Sequence, residues 1–167
     1  RYLGNAKFDY KFGFLDGLNL VVNLGFDYSE VQGRFIVPAE SASGFNDGGS
    51  VRDYTEMKRN TLADIYLNYV NTFAEKHRVD IMLGHSFQDF YRENSNVTQD
   101  GIGSPATGNP RLVSLNALES LFARVNYTFN DKYLVTFTYR RDGSSRFAPE
   151  NRWADFFSGA LAWNISE

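Results

Sequence analysis

The sequence LFARVNYTFNDKYLVTFTYR, residues 121–140, contains two runs in which apolar and polar residues alternate. Strict alternation places the apolar side chains of a strand on one face and the polar ones on the other. The runs are separated only by Asn130-Asp131-Lys132, residue types that are typical of a tight turn. This stretch therefore predicts a hairpin of two antiparallel strands, Leu121–Phe129 and Tyr133–Arg140.

The same alternation recurs along the chain, and no helical period competes with it. Aromatic residues make up 16% of the sequence, although the mean hydropathy is only -0.40. Many aromatic residues in a chain that is polar on average indicate strands with one apolar face. Five further strands are predicted, which gives seven in total: Asn5–Phe12, Leu18–Ser29, Ala63–Tyr69, Val79–Gln88 and Phe157–Ile165.

The connections between these strands alternate strictly between short and long. Long connections all at one end of an antiparallel meander are typical of outer-membrane barrels. The fold class predicted is therefore all-β: an antiparallel up-and-down meander of about seven long strands, part of a larger transmembrane β-barrel. The short connections are Leu15–Gly17, Thr72–Lys76 and Asn130–Lys132, and the long ones are Val31–Glu56, Ser95–Asn116 and Arg141–Ala154.

Energetics predicts which strand face lies outside. A basic side chain that faces lipid at the bilayer midplane costs roughly 2 to 4 kcal/mol. Arg124 lies in mid-strand, so it is expected to face the lumen, while Val125 and Tyr127 face lipid. His85 is an exception, because it falls on the lipid-facing side of its strand. Lys7, Asp9, Asp64 and Asn68 follow the same rule as Arg124.

Aromatic residues collect at both ends of the predicted strands. Two such groups are typical of the girdles at the two interfaces of a bilayer. The alternative is that Tyr and Phe are simply good strand formers. The first group comprises Phe12, Phe14, Phe73, Phe129, Tyr133 and Trp163, and the second comprises Tyr28, Phe87, Tyr91, Tyr139 and Phe157.

The composition of the chain constrains its fold and function less strongly than the alternation does. The net charge of -3 gives no support to nucleic-acid binding. The absence of cysteine excludes a disulfide scaffold and a thiolate metal site. No apolar run is long enough for a transmembrane helix. Because the chain opens on Arg1 rather than on Met, a longer parent protein is expected.

Residues 133–167, YLVTFTYRRDGSSRFAPENRWADFFSGALAWNISE, carry a long and specific resemblance. The segment resembles the C-terminal barrel region of the SusC/RagA-like TonB-dependent transporters of Bacteroidetes outer membranes. In that family a strand leads into Arg-Asp-Gly-Ser-Ser-Arg-Phe, then Asn-Arg-Trp, then a strand that ends Ala-Trp-Arg-Ile-Ser-Glu. The chain departs from the family at Ala148, at Phe156-Phe157-Ser158 and at Asn164.

The charged connection in this segment has two predicted roles. From the residues, Asp142-Gly143 is expected to form a turn tolerant of positive φ. Four arginines (140, 141, 146 and 152) could pair with the acids at 142, 150 and 155 and hold the base of the loop in one conformation. By resemblance, the family motif has a structural or gating role: Arg141, Asp142, Gly143, Ser144, Ser145, Arg146, Phe147, Asn151, Arg152 and Trp153.

The resemblance implies that residues 1–167 are a partial receptor barrel, with neither plug domain nor TonB box. The whole barrel would have about 22 strands, located in the cell outer membrane. The implied function is active uptake of an oligosaccharide or peptide, with no enzyme activity and no cofactor. The implied partners are a SusD-like surface lipoprotein, the TonB system and outer-membrane lipid, and no nucleic acid.

Two other classes stay open: a small outer-membrane barrel enzyme and a soluble ligand-binding β-barrel. His85-Ser86 with Asp89 suggests a catalytic triad, but adjacent strand residues point to opposite faces. His77 and His85 lack other metal ligands at suitable spacing. Phe45–Ser50 offers too few ligands for calcium. In the long connections, Tyr54, Phe45 and Asn109 could contact sugars.

Overall fold

The computed structural model describes residues 1–109 and 111–165 of the 167-residue chain. Within those residues no helix is long and apolar enough to cross a membrane. The elements are seven strands and a 3-10 helix: β1 Tyr2–Lys11, β2 Leu18–Val37, β3 Ser50–Phe73, β4 His77–Asp100, β5 Leu112–Phe129, β6 Tyr133–Ser144, the helix Pro149–Asn151, and β7 Trp153–Trp163.

The seven strands form one antiparallel sheet in sequence order, from β1 to β7. The predicted all-β meander is therefore confirmed. Because β1 and β7 are the two edges, the sheet is an open segment of a larger barrel. In lipid, unpaired backbone groups at such edges cost several kcal/mol each.

The tight connections agree with the sequence. Between β3 and β4, Ala74 and Glu75 have φ of 48° and 61°, and between β5 and β6, Asn130 and Asp131 have φ of 51° and 53°. Positive φ at both central residues is the geometry of the hairpin turn that matches the twist of the strands. Both predicted hairpins are thus present.

By its internal contacts the chain divides into two compact units. The turn unit comprises Gly4–Gly25, Thr61–Asp89 and Asn116–Glu167, and it contains the tight turns. The loop unit comprises Arg1–Leu3, Phe26–Asn60 and Phe90–Leu115, and it contains the first two long connections. Each unit is described separately below.

Five predicted boundaries were wrong in the loop unit, where β1 begins at Tyr2 rather than Asn5 and β5 begins at Leu112 rather than Leu121. Strand β2 continues to Val37, β3 begins at Ser50, and β4 continues to Asp100, so the first two long connections shrink to residues 38–49 and 101–111. The added parts of β3 and β4 carry polar residues on both faces, so the alternation that marks a strand is lost there. Exposed ion pairs join neighbouring segments there, Arg34–Asp53 between β2 and β3 (2.6 Å) and Arg111–Glu93 between the residue 101–111 connection and β4 (3.1 Å).

The third long connection also differs from the prediction. Strand β6 ends at Ser144 and β7 begins at Trp153, four residues before the predicted start. Strand β7 ends at Trp163 rather than at Ile165. Ser166 and Glu167, which close the family motif, lie outside the described residues.

In the turn unit, the register of β5, β6 and β7 sorts residues by face. Apolar partners align in rows across the three strands on one face, and Arg124 aligns with Thr138 and Ser158 on the other. This sorting agrees with the predicted lipid and lumen faces. The apolar rows are Phe129–Tyr133–Trp163, Tyr127–Val135–Leu161, Val125–Phe137–Gly159 and Ala123–Tyr139–Phe157.

The two tryptophans lie at opposite ends of this face, and the row next to Trp153, Leu121–Arg141–Asp155, is charged. Trp163 pairs with Tyr133, and Trp153 pairs with Gly143, ten residues further along β6. Ten residues of strand span about 33 Å. With the usual barrel tilt, this corresponds to a height of about 25 Å, the thickness of the apolar band of outer-membrane barrels.

The described residues contain almost no interior. Among the described residues, Val21 (3% exposed) is the only buried hydrophobic residue, and Ser120 (6% exposed) is the only buried polar one. The accessible surface is 12114 Å², whereas a folded monomer of 19.0 kDa exposes about 8400 Å². A soluble barrel with an apolar interior would bury the faces that are exposed here.

Candidate functional site

The family motif folds back onto β5. The Ser145 backbone N–H donates to the Ala117 carbonyl (2.9 Å), and the Ser145 hydroxyl accepts from the Ala117 N–H (2.8 Å). The Arg146 guanidinium donates to the Asn116 side-chain oxygen (2.7 Å). We call these four residues the loop anchor, because they tie the β6–β7 connection to the start of β5.

The prediction that Asp142-Gly143 forms a turn was wrong. Both residues are in β6, where they pair with Ala154 and Trp153 of β7. A Cβ atom built on Gly143 would lie 2.9 Å from Cε3 and Cζ3 of the Trp153 ring. The close approach of the Trp153 indole therefore explains why residue 143 is a glycine; its backbone conformation does not require one.

The predicted arginine–acid pairs are present in part. Arg140 Nε lies 2.6 Å from Asp142, and Arg141 Nε lies 3.8 Å from Asp155, with the Arg141 guanidinium 5.5 Å from the Trp153 ring centre. Arg146 bonds to an amide rather than to an acid. Among the described residues, no ion pair involves Glu150 or Arg152.

The other motif residues lie around the same connection. The Ser144 N–H donates to the Arg152 carbonyl (3.1 Å), and the Phe147 N–H donates to the Ser144 carbonyl (3.3 Å). Asn151 ends the short 3-10 helix. The motif thus forms one compact structure, but the concavity beside it, of about 90 Å³, is too small for a cargo molecule. A gating role stays a prediction.

We expect Gly143→Ala to destabilise the folded protein by about 1 to 3 kcal/mol, because the new methyl group overlaps the Trp153 indole. Gly159→Ala is the matched control in β7, where the nearest atom to a new Cβ is the Thr136 oxygen at 3.8 Å. Its effect should stay within about 0.5 kcal/mol. Urea unfolding of the membrane-inserted receptor would measure both. Equal effects would contradict the packing role of Gly143.

The histidines have structural partners. His85 Nε2 lies 2.9 Å from a Glu119 carboxylate oxygen, and His77 Nδ1 lies 2.7 Å from the Tyr127 hydroxyl. Ser86 donates to Asp64 (2.5 Å), so His85 and Ser86 have different partners and do not form a triad. Within the described part of the chain, no group of His, Asp and Glu side chains could hold a metal ion.

The loop unit contains a larger concavity, of about 620 Å³, which we call the Tyr54 concavity. It combines two aromatic rings with amide, hydroxyl and charged side chains. That mixture can orient a polar ligand while it covers the ligand's apolar parts. The lining residues are Phe35, Arg52, Tyr54, Thr55, Glu56, Asn94, Ser95, Asn96 and Leu112.

Tyr54 has a defined position in this concavity. Its ring lies against the Gly33 backbone on the neighbouring strand, where any larger residue would overlap the phenol. The side chain is still 42% exposed, and nearby Phe35 is 62% exposed. Glycine thus lets the ring pack on the strand while part of the ring stays accessible.

Glu56 supplies the negative charge of the concavity, and two cations accompany it. Lys58 Nζ lies 2.8 Å from its carboxylate, and Arg92 Nε lies 3.5 Å from it. The Lys58 hydrogen bond lowers the pKa of Glu56, and the charges of Lys58 and Arg92 act in the same direction. The carboxylate is therefore ionised at neutral pH. Arg52 adds a further positive charge to the lining.

Of the three residues predicted to contact sugars, only Tyr54 lines this concavity. Phe45 is 76% exposed in the residue 38–49 connection, and the Asn109 carbonyl accepts from the Asn96 N–H (2.8 Å). Sequence reasoning missed Gly33 and Phe35, because both lie in a region predicted to be a loop. A glycine inside a run of strand-forming residues was the available signal.

Comparison with known proteins gives one consistent result. No family model matches the chain. TonB-dependent receptor SusC of Bacteroides thetaiotaomicron is 37% identical over 99% of the chain, and TonB-dependent receptor P3 of Formosa agariphila is 34% identical over 97% of it. The chain spans only 17% of the length of each relative.

Solved structures show the same fold. The RagAB peptide transporter matches 98% of the chain with a TM-score of 0.81 and 21% identity, and the chain covers 20% of that structure. The RagAB peptide importer in the closed-closed state matches 96% of the chain with a TM-score of 0.80 and 22% identity, covering 19% of it. At these identities, the match demonstrates the arrangement of strands.

Proposed function

Because the chain belongs to the barrel region of the SusC/RagA-like TonB-dependent receptors, we propose that it forms part of the wall of an active transporter in the outer membrane. Residues 1–167 are a partial barrel that contains neither a plug nor a TonB box. The complete receptor takes up an oligosaccharide or a peptide, and the long connections lie on the extracellular side.

The observation that carries this proposal is the two-sided sheet. One face of the turn unit presents four apolar rows, from that of Trp163 to that of Phe157, and the other presents Arg124 in mid-strand. Lipid favours the first face, and a water-filled lumen favours the second. A sheet with this sorting and two open edges is the expected wall of a larger barrel.

The partners proposed are a SusD-like surface lipoprotein and the TonB system. SusC and P3 are both named as TonB-dependent receptors, and RagAB is named as a peptide transporter. The loop unit supplies the surface on which a lipoprotein could close.

To test the proposal, we would express the full-length receptor that contains this chain and measure cargo uptake with and without TonB. We expect a heat-modifiable protein in the outer-membrane fraction and uptake that disappears when TonB is deleted. Equal amounts of receptor in the outer-membrane fractions of the two strains would exclude a difference in protein level. If residues 1–167 instead fold alone in buffer as a monomer, a barrel-wall role is excluded and a soluble barrel is favoured.

A further inference from the structure

We propose that the Tyr54 concavity is a cargo-contact site and that it binds a sugar ring bearing an anionic substituent, such as a carboxylate or a sulfate. This inference rests on the proposed transport function and specifies its cargo. It depends on three observations within the loop unit: the position of one aromatic ring, a set of uncommitted polar groups, and a lining arginine that has no ion-pair partner among the described residues.

The first observation is the Tyr54 ring. Its contact with Gly33 fixes the ring against the β2 backbone, yet the side chain keeps 42% of its surface exposed. A fixed aromatic ring offers a ligand a large apolar area at little cost in conformational entropy. The apolar C–H face of a pyranose fits such a surface, and exposed Phe35 extends it.

The second observation is the polar lining. None of the side-chain hydrogen bonds within the described residues uses the Tyr54 hydroxyl or the Asn94 amide. The side-chain oxygen of Asn96 accepts one hydrogen bond within the described residues, a long one from the Asn109 N–H (3.4 Å). An amide offers donors and an acceptor together, so it can bond to adjacent sugar hydroxyls.

The third observation is charge. Two of the lining residues are charged, Arg52 and Glu56, and the Glu56 carboxylate already has two cationic partners, Lys58 (2.8 Å) and Arg92 (3.5 Å). No ion pair within the described residues involves Arg52. Its planar guanidinium matches the oxygens of a carboxylate or sulfate. A neutral sugar would leave this charge unused.

The position in the sheet favours a sugar over a peptide. Seven of the nine lining residues lie in β3 and β4, which have neighbouring strands on both sides. An extended peptide that binds by strand addition needs a free edge, and these strands offer none. Tyr54 is ten residues from Asp64 in β3, so it has the parity of the residues predicted to face the lumen.

The test is isothermal titration calorimetry of the purified full-length receptor in detergent. The ligands are an oligogalacturonate, a neutral oligosaccharide of equal length, and an acidic peptide. We expect Tyr54→Ala to weaken oligogalacturonate binding by about tenfold or more. Arg52→Gln should cause a similar loss for the oligogalacturonate and leave the neutral sugar unaffected. Tyr54→Phe, which keeps the ring, should retain most of the affinity.

Arg34→Gln is the matched control. Arg34 is another exposed arginine of the loop unit, but it pairs with Asp53 and does not line the concavity. It should bind oligogalacturonate like the unmodified receptor. Heat-modifiable migration of every variant would confirm folding.

The outcomes separate the two proposals. TonB-dependent uptake of a peptide, or oligogalacturonate binding unaffected by Tyr54→Ala and Arg52→Gln, would overturn the sugar site and leave the transport function standing. A receptor that shows no TonB-dependent uptake of any ligand would overturn the transport function itself. Selective loss of oligogalacturonate binding and uptake in both variants supports the site.

Discussion

Val125→Arg should destabilise the membrane-inserted receptor by about 2 to 4 kcal/mol. Val125 aligns with Phe137 and Gly159 in the third of the rows that run upward from Trp163. This row is near the middle of the apolar band, where an arginine has no water and no acidic partner. We would measure the urea midpoint and the fraction of receptor that migrates in the heat-modifiable form.

Ala160→Arg is the control for the effect of added charge. Ala160 aligns with Thr136 and Asn126 on the opposite face of the same three strands, at nearly the same depth. On that face an arginine meets the lumen, as Arg124 does, so the change should stay within about 0.5 kcal/mol. If Ala160→Arg proved the more damaging variant, the assignment of lipid and lumen faces would be reversed.

The faces and the hairpins were predictable because one physical requirement governs each of them. The charge of Arg124 and the apolar side chain of its neighbour Val125 indicate which face of the strand meets lipid. The polar residues Asn130 and Asp131 tolerate the positive φ that a two-residue hairpin requires. Both signals are local, so alternation and turn composition were sufficient.

The extended strands of the loop unit were not predictable from the same signal. Where both faces of a strand meet water, apolar residues are no longer selected at every second position. Surface pairs such as Arg34–Asp53 then form between neighbouring strands, and their partners are distant in sequence. The Tyr54 concavity depends on the packing of Tyr54 on Gly33, which a loop prediction could not include.

His85 shows how an apparent exception can follow the general rule. It lies on the predicted lipid face, but its partner Glu119 aligns with Gly143, the residue that pairs with Trp153 at the end of the apolar band. A polar pair at this height is at the interface, where charge costs little. Alternation was sufficient to predict the face on which His85 lies, but it contains no information about the depth of His85 in the bilayer.

Gly17→Ala is expected to cost about 2 to 5 kcal/mol, because two penalties act together. Gly17 has φ of 84°, which is unfavourable for any residue with a Cβ. A new Cβ would also overlap the Val70 carbonyl oxygen, and the Val70 N–H donates to the Gly17 carbonyl (2.9 Å). Relief of the overlap would therefore strain the hydrogen bond that attaches the first turn to β3.

Gly13→Ala provides the comparison within the same turn. Gly13 has no atom within 4 Å of a built Cβ and is not among the residues with positive φ. Its replacement should change the free energy of unfolding by no more than about 0.5 kcal/mol. Urea unfolding of both variants in the full-length receptor measures the difference. Equal stabilities would mean that the β1–β2 turn adopts another conformation, in which Gly17 does not contact Val70.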